Sequence, residues 1–590
     1  MSLSAATRPQ ARRRALSATT AALTLTAGVA VSFVVSAPTA SAALPSRGSA
    51  TVGTATYSVP SGAIFVDGSK GSDSASGSQG SPLKTVKAAV SKASSGKTIV
   101  IRSGTYNESV TVPGTKTLTI QNYPNEAVWL DGSTSVKSWS KSGSNWVTSG
   151  WKSEFSSSMG GTASFKARFI GSNPMAADPD QVFVNGTALK QVSSASSVVA
   201  GTFAVNDGAD TITIGTDPSG KDVRASNLAQ ALSISSPNST VQGIGIRRYA
   251  TPYETRSALQ MSNKGGAIRN VVVQDNAMIG ISLSNTGKVL DHVTVERNGM
   301  MGIGGTENDS SVVSNSKANN NNTQQFKDAP VSGGIKFTRS RGIKVLNTEA
   351  KSNGGSGIWF DASCYDMTVT NNVATNNTKH QIEIEVSSKA IVANNVATGG
   401  ETGILLYDAG NVKVFNNELG DSRLFGLKLA QDYRRQSNPN VPEAHDPRAP
   451  IPDPTVTWLT QNITVSNNIF GNGGKFQFYA LDGETNIAVD KMNVTINGNL
   501  FNKRMDTSQP TMVAWGKGDN KTLERYESPS ALAAAKNGSW KNAQVSSSMS
   551  IASMKSVAGS YSSTAVGLPS DVATAMGKSA GTKGVGVLTV

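Results

Sequence analysis

Cysteine is almost absent: Cys364 is the only one in 590 residues. No disulfide can form within the chain, so stability has to come from packing even in an oxidising compartment. Cys364 falls near a strand end, where a small core or turn residue is the natural reading and a nucleophile is not. Long apolar runs are missing beyond the N-terminal 42 residues. No later segment approaches the roughly 18 residues that cross a bilayer, which excludes helical insertion of the mature chain. Helix-favouring composition is lacking too, because 58 glycines and abundant Asn, Ser, Thr and Val favour turns and strands. A length of 590 residues exceeds one ordinary compact core and suits a solenoid, in which each repeat buries its apolar side on its neighbours.

The first 42 residues read as an export signal. Arg12-Arg13-Arg14 form a basic start, Ala15 to Val35 an apolar stretch, and Ala40-Ser41-Ala42 an A-x-A cleavage site. The opposing reading is a membrane anchor, since the apolar stretch is long for a signal. Its Ser, Thr, Gly and Ala content favours cleavage and a secreted, extracellular protein. The formal charge of +14 then falls to +10, because Arg8, Arg12, Arg13 and Arg14 leave and no acid does (14 − 4). That balance suits an acidic polymer or a cell surface, and it serves equally to keep a secreted protein in solution. A monomer without a nucleic-acid partner is expected.

A repeat organises the middle of the chain. Gly357-Ile358-Trp359-Phe360-Asp361 is followed 24 residues later by Gln381-Ile382-Glu383-Ile384-Glu385, and 22 later again by Gly403-Ile404-Leu405-Leu406-Tyr407. The pairs Asn371-Asn372, Asn394-Asn395 and Asn416-Asn417 recur at 23 and 22 residues. A fixed period of this size marks a solenoid. Buried Asn at one turn of successive coils can form a side-chain amide ladder, and Asn tolerates the left-handed conformation such a bend needs. The expected fold is all-β, a right-handed parallel β-helix with coils of about 22–24 residues.

Around it, residues 43–60 read as a flexible linker. Residues 61–130 form an N-terminal cap, with a short helix from about Pro82 to Ala93, and the first coils. Residues 131–225 break the period: Trp139, Trp146 and Trp151 accompany alternating strands and Asn-Gly turns, which argues a small antiparallel β insertion. The insertion could wall one side of a groove, and its aromatics either stack on sugars or pack internally. The main parallel β-helix spans 226–505, with two swollen coils at 316–332 and 431–456, and 506–590 form a C-terminal cap or tail. Long loops on one face of a solenoid usually build the binding site.

Alternation places Trp359, Asp361, Glu383 and Glu385 on the outer face. Two outward columns follow. The first is Lys336, Trp359, Glu383, Leu405, Lys428; the second is Thr338, Asp361, Glu385, Tyr407, Ala430. Coils lie about 4.8 Å apart, so Asp361 and Glu385 become neighbours, with Glu383 beside them. Packed carboxylates repel and one pKa rises, and a protonated acid beside an ionised carboxylate is what glycoside hydrolysis needs. The spacing fits the roughly 5 Å retaining geometry better than the wider inverting one. Asp361 and Glu385 are therefore the candidate catalytic pair. Lys336, Trp359, His380, Glu383, Tyr407, Asp432 and Arg435 are candidate substrate contacts, with Arg434 also nearby. No metal ligand set is expected. The opposing reading is a solvated acidic stripe with Lys336 and Lys428 as ordinary surface charges, although stacked like charges are destabilising.

The stretch GIWFDASCYDMTVTNNVATNN-TKH-QIEIEVSSKAIVANN resembles secreted bacterial right-handed β-helix proteins of the pectin lyase-like superfamily, including β-helix glycosidases of the α-L-fucosidase/xylanase type. The similarity spans most of residues 61–505, including the opening segment and Gln431-Asp432-Tyr433-Arg434-Arg435. By match, the aspartate of the W-F-D motif falls on Asp361 and the glutamate of E-I-S on Glu385. The chain departs at Gln381, where Gly is usual, and at Val386, where Ile is usual; the first puts the approach of substrate in question. The resemblance implies a glycoside hydrolase acting on an extracellular polysaccharide without a cofactor. Two other readings stay open. One is a calcium-dependent polysaccharide lyase acting on a uronate polymer, with Glu383, Glu385 and Lys389 resembling its acidic-plus-lysine segment. The other is a glycan-binding solenoid without chemistry, since fold does not fix function.

Overall fold

The computed structural model describes residues 44–161, 163–436, 444–504, 510–536 and 538–589, without the side chains of 435 and 436. The expected export signal, residues 1–42, lies outside the described residues.

Three long sheets, each of 13 strands among the described residues, run the length of the chain. One coil illustrates the winding. Strand Ser356–Asp361 lies in one sheet, Tyr365–Thr370 in the next and Val373–Thr375 in the third, before His380–Glu385 returns beside the first. Successive coils pair in parallel, which makes this a parallel β-helix. Inward residues such as Ile358, Phe360, Ile382, Ile384, Ile404 and Leu406 are fully buried in one continuous core. Cys364 is buried in the same core as a free thiol.

Two asparagine ladders stitch the bends. In one, the side chains of Asn372, Asn395, Asn417, Asn468, Asn499 and Asn542 hydrogen-bond in series, each amide donating to the next at 2.9–3.0 Å. The first Asn of each pair takes the left-handed conformation, with φ of 62° at Asn371, 59° at Asn394 and 54° at Asn416. The second ladder runs Asn276, Asn298, Asn321, Asn353, Asn377 and ends on Gln381, whose Oε1 accepts from Asn377 Nδ2 at 2.8 Å. This explains the departure at Gln381. At Gly357 an added Cβ would sit 2.5 Å from the Asn377 amide nitrogen, so the ladder demands glycine there. One coil later the side chain of Gln381 itself completes the ladder. Gln381 is fully buried, so the change concerns the bend and not the approach of a substrate.

Helix Val86–Lys92 packs on the first coils, capped by the Thr85 side chain accepting from Ala88 N. Helix Pro529–Ala535 buries Leu532 against the last coils. Both ends of a solenoid expose core and strand edges, and these elements cover them. Residues 44–60 are not the flexible linker expected from their composition. Asn347 Nδ2 donates to Pro45 O at 2.8 Å, Gly48 N to Asn315 O at 2.8 Å and Asn122 Nδ2 to Ala55 O at 3.0 Å. The segment lies along the outer Asn column, and the C-terminal stretch continues it, with Leu588 N donating to Asn394 Oδ1 at 2.7 Å. Backbone groups make most of these contacts, which is why a Ser/Thr/Ala/Gly composition concealed them.

The insertion forms a four-stranded and a five-stranded sheet, mainly antiparallel, around Val182, Phe203, Ile212, Ile214 and Val223. A separate cluster joins its Phe165, Phe169, Ala176 and Ala177 to Met278, Met300 and Phe326 of the helix.

Candidate functional site

The first expected outward column is realised in register, and the second on either side of the step between Asp361 and Glu385, where the pairing of the two strands ends at Phe360 and Ile384. Lys336 pairs with Trp359, Trp359 with Glu383, Glu383 with Leu405 and Leu405 with Lys428; Thr338 pairs with Asp361, Glu385 with Tyr407 and Tyr407 with Ala430. Their sheet forms the floor of a cleft of about 420 Å³. Trp359, His380, Glu383, Glu385, Tyr407 and Asp432 all line it. The swollen coil 316–332 brings Asp328 and Ala329 to its wall, and Tyr479 and Glu484 arrive from a later coil. No residue of the insertion is among the lining; its cluster with Phe326 supports the swollen coil from behind.

Glu385 is held in the floor with 14 % of its side chain exposed. Burial pushes its carboxyl up to about 8, with the negative charges of Asp361 and Glu383 adding to the shift. Arg434 pulls in the other direction, with Nη2 2.8 Å from Glu385 Oε1. That guanidinium is divided, however, because its Nε also lies 2.7 Å from Asp408 Oδ2 and 3.1 Å from Asp432 Oδ1. Burial drives Asp408 up to about 8 as well. Asp432 is the ionised member: burial opposes its charge, but hydrogen bonds from Asp408 and Arg434 hold it below the usual carboxylate range. Glu383 is 5 % exposed and accepts from Ser356 Oγ at 2.5 Å. Its burial lifts it to about 7 against that bond and the Lys336 charge.

Asp361 stands on the coil before Glu385 and is not among the lining side chains. Its Oδ2 lies 2.7 Å from Lys336 Nζ, and its Oδ1 accepts from Ala362 N at 2.6 Å. With 19 % of its side chain exposed, it is as open to solvent as Glu385. Lys336 is itself pinned, with Nζ 3.2 Å from the centre of the Trp359 ring and donating to Pro330 O at 2.5 Å. Lys336 is thus a partner of Asp361 beneath the cleft, not part of its lining.

Two lining groups have unsatisfied polar atoms. Trp359 Nε1 and His380 Nδ1 are buried without a hydrogen-bond partner among the described residues. Burial lowers His380 to about 4, so it is neutral at ordinary pH. Lys428, a surface charge only in the opposing reading of a solvated stripe, lines the cleft, and burial lowers its pKa against the attraction of Glu401 and Glu383. At the same end Lys379 bridges Asp328 at 3.1 Å and Glu401 at 3.4 Å. The Arg435 side chain lies outside the described residues; the guanidinium that engages the carboxylates is Arg434. Asp408, Lys379, Glu401, Asp328 and Tyr479 were not anticipated. The column rule could have reached Tyr479, which pairs with Lys428. The others sit at bends or in loops.

Lys389, the base required by the lyase reading, faces elsewhere. It pairs with Asp366 at 3.2 Å, and both side chains are 53 % exposed. Among the described residues, no three His, Cys, Asp or Glu side chains are grouped to hold a metal ion. No described helix is long and apolar enough to cross a membrane.

Fold and cleft together define a class, the right-handed parallel β-helices. The comparisons agree. The family model "Right handed beta helix region" matches residues 257–419, and a family of unknown function, DUF1565, matches residues 69–126. A solved structure of XylC in complex with xylose is 15 % identical over 76 % of this chain and 85 % of its own, with a TM-score of 0.55. The pectate lyase Pel9A is 12 % identical over 80 % of this chain and 84 % of its own, at a TM-score of 0.32. No curated protein sequence matches the chain.

Proposed function

We propose that the protein is a secreted glycoside hydrolase that cleaves an extracellular polysaccharide, with Glu385 as the general acid/base and Asp361 as the ionised carboxylate opposite it. One observation carries this reading: a glutamic acid of the cleft floor, its carboxyl raised to about 8, stands one coil from an aspartate locked in an ion pair with Lys336. Glycosidic cleavage needs that asymmetry. The neutral acid protonates the leaving oxygen while the charged carboxylate either attacks the anomeric carbon or stabilises its positive charge. Arg434 then receives the charge that Glu385 acquires on giving up its proton. Glu383 and Ser356 hold a sugar hydroxyl, and Trp359 and Tyr407 offer apolar ring surface to a sugar.

The test uses residues 43–590 with a panel of neutral and uronate-containing polysaccharides, with and without EDTA. Xylose-containing glycans head the panel, since the XylC structure holds xylose. Reducing ends and unsaturated products are both read. New reducing ends without unsaturation, lost in Glu385→Gln and Asp361→Asn, support the proposal. Full activity in both variants overturns the assignment, and EDTA-sensitive unsaturated products replace it with a lyase.

A further inference from the structure

The insertion carries a second groove, of about 610 Å³, that shares no residue with the cleft. It opens between strand Ser133–Ser135, the hairpin Ser140–Ser142 and Asn145–Ser149, and the loop 218–223. Lys137, Trp139, Lys141, Trp146, Lys221 and Asp222 are among its lining residues.

Both indoles are half-buried and packed on the core of Val182, Phe203, Ile212 and Ile214, which fixes their orientation. The Trp139 indole N–H donates to Val136 O at 2.9 Å, so its polar edge is satisfied within the protein and ring surface is left for the groove. Lys141 Nζ lies 5.7 Å from the centre of the Trp146 ring. Lys137, Lys141 and Lys221 are all exposed, and the charges of Lys221 and Lys141 reach the exposed Asp217 carboxylate next to the groove. Asp222 is the one carboxylate of the lining. Internal packing accounts for the tryptophans, but it gives no reason for three exposed cations to line their open side, where they outnumber the carboxylates Asp217 and Asp222 beside them.

We propose that this groove is a non-catalytic binding site for an anionic polysaccharide, with sugar rings lying on Trp139 and Trp146 and carboxylates or phosphates meeting Lys137, Lys141 and Lys221. Rigid indoles bury a sugar's apolar face at little entropic cost, and ammonium groups draw in the anionic chain. A polymer held here is kept at high local concentration near the rest of the molecule.

The test compares two forms of residues 43–590, both carrying Glu385→Gln so that no polymer is cut. One is otherwise unaltered, and the other adds Lys137→Glu and Lys221→Glu, exposed positions whose replacement leaves the core intact; equal Tm values check this. Each is run by affinity electrophoresis through gels containing polygalacturonate, poly(glycerol phosphate) or neutral xylan. The double charge reversal is expected to weaken binding of at least one anionic polymer about tenfold and to leave any xylan retention unchanged. Which polymer is retained separates carboxylate from phosphate as the source of the charge. Equal retention of both forms, or no retention of either anionic polymer, overturns the proposal. With Glu385 intact, the lysine variant should cleave short oligosaccharides at the parent rate, so failure here is distinguishable from failure of the hydrolase reading.

Discussion

Glu385→Gln should make the protein more stable at alkaline pH while abolishing its activity. A carboxyl whose pKa rises from 4.5 to about 8 on folding contributes fully to stability below pH 4.5 and loses that contribution as the pH climbs towards 8. Glutamine is a neutral isostere of the protonated acid and cannot ionise. The two forms should therefore match at pH 4 and diverge above it. The full shift of 3.5 units (8 − 4.5) sets a ceiling of roughly 5 kcal/mol at 1.36 kcal/mol per unit. Part of this returns to Glu383, which ionises more easily once its neighbour cannot, so a gain of roughly 2–4 kcal/mol at pH 8 is the expectation. Guanidinium unfolding at pH 4 and pH 8 measures it. Hydrolysis should fall by about 10²–10⁴, the usual worth of a general acid. A variant destabilised equally at both pH values would refute the reasoning, because it would mean that Glu385 is ionised and held by Arg434 as a structural ion pair.

Arg434→Met removes the cation that three carboxylates share, and breaking such a buried network should cost about 3–5 kcal/mol at pH 8 and less at pH 5. Because Arg434 draws the Glu385 pKa down, the alkaline limb of residual activity should move to higher pH; a limb that stays put contradicts the role given to Arg434. Asn395→Leu breaks the ladder between Asn372 and Asn417 and leaves the buried Asn372 N–H without its acceptor, at a cost of about 1–3 kcal/mol in chemical denaturation. A change below about 0.5 kcal/mol would show that the ladder is not stabilising at that coil. His380 should stay neutral down to about pH 4, as an imidazole resonance lost in His380→Gln can report; a midpoint near 6.5 would place the ring in water instead of the cleft wall.

The register of the first outward column was legible because a strand alternates with period 2 and parallel coils stack residue on residue. Once Ile358 and Ile382 are inward, Trp359 and Glu383 have to face out together, and Asp361 and Glu385 follow one step along. The ladder through Asn372, Asn395 and Asn417 was legible from the recurring asparagine pairs, whereas the second, from Asn276 to Asn377, was not anticipated. Residues beyond the strand ends were not. Asp408 sits in the left-handed conformation, with φ 50°, immediately after strand Thr402–Tyr407. Alternation no longer says where its carboxylate points. Arg434 and Arg435 share a short helical turn after strand Phe425–Gln431, and neither periodicity nor charge chooses between them. The segment 44–60 was misread because composition records side chains, whereas its attachment is largely by backbone carbonyls and amides.

The two halves of each coil do opposite work, and that opposition is the strongest physical argument for a functional cleft. At the bends, the asparagines of the two ladders donate and accept in series, so most of the polar burial there is compensated. In and beside the cleft, Glu383, Glu385 and Asp408 are buried with raised pKa values, Glu385 and Asp408 sharing the Arg434 guanidinium, and His380 and Trp359 keep unsatisfied nitrogens. A sheet selected only for stability would replace those groups with small uncharged residues such as Ser282, Ser284, Gly304 and Thr306, which fill the equivalent positions in earlier coils. Concentrating uncompensated polarity over three adjacent coils destabilises the fold locally and leaves acids and donors unspent by internal bonding. The rigid stack on either side tolerates that cost, and a ligand entering the cleft relieves it.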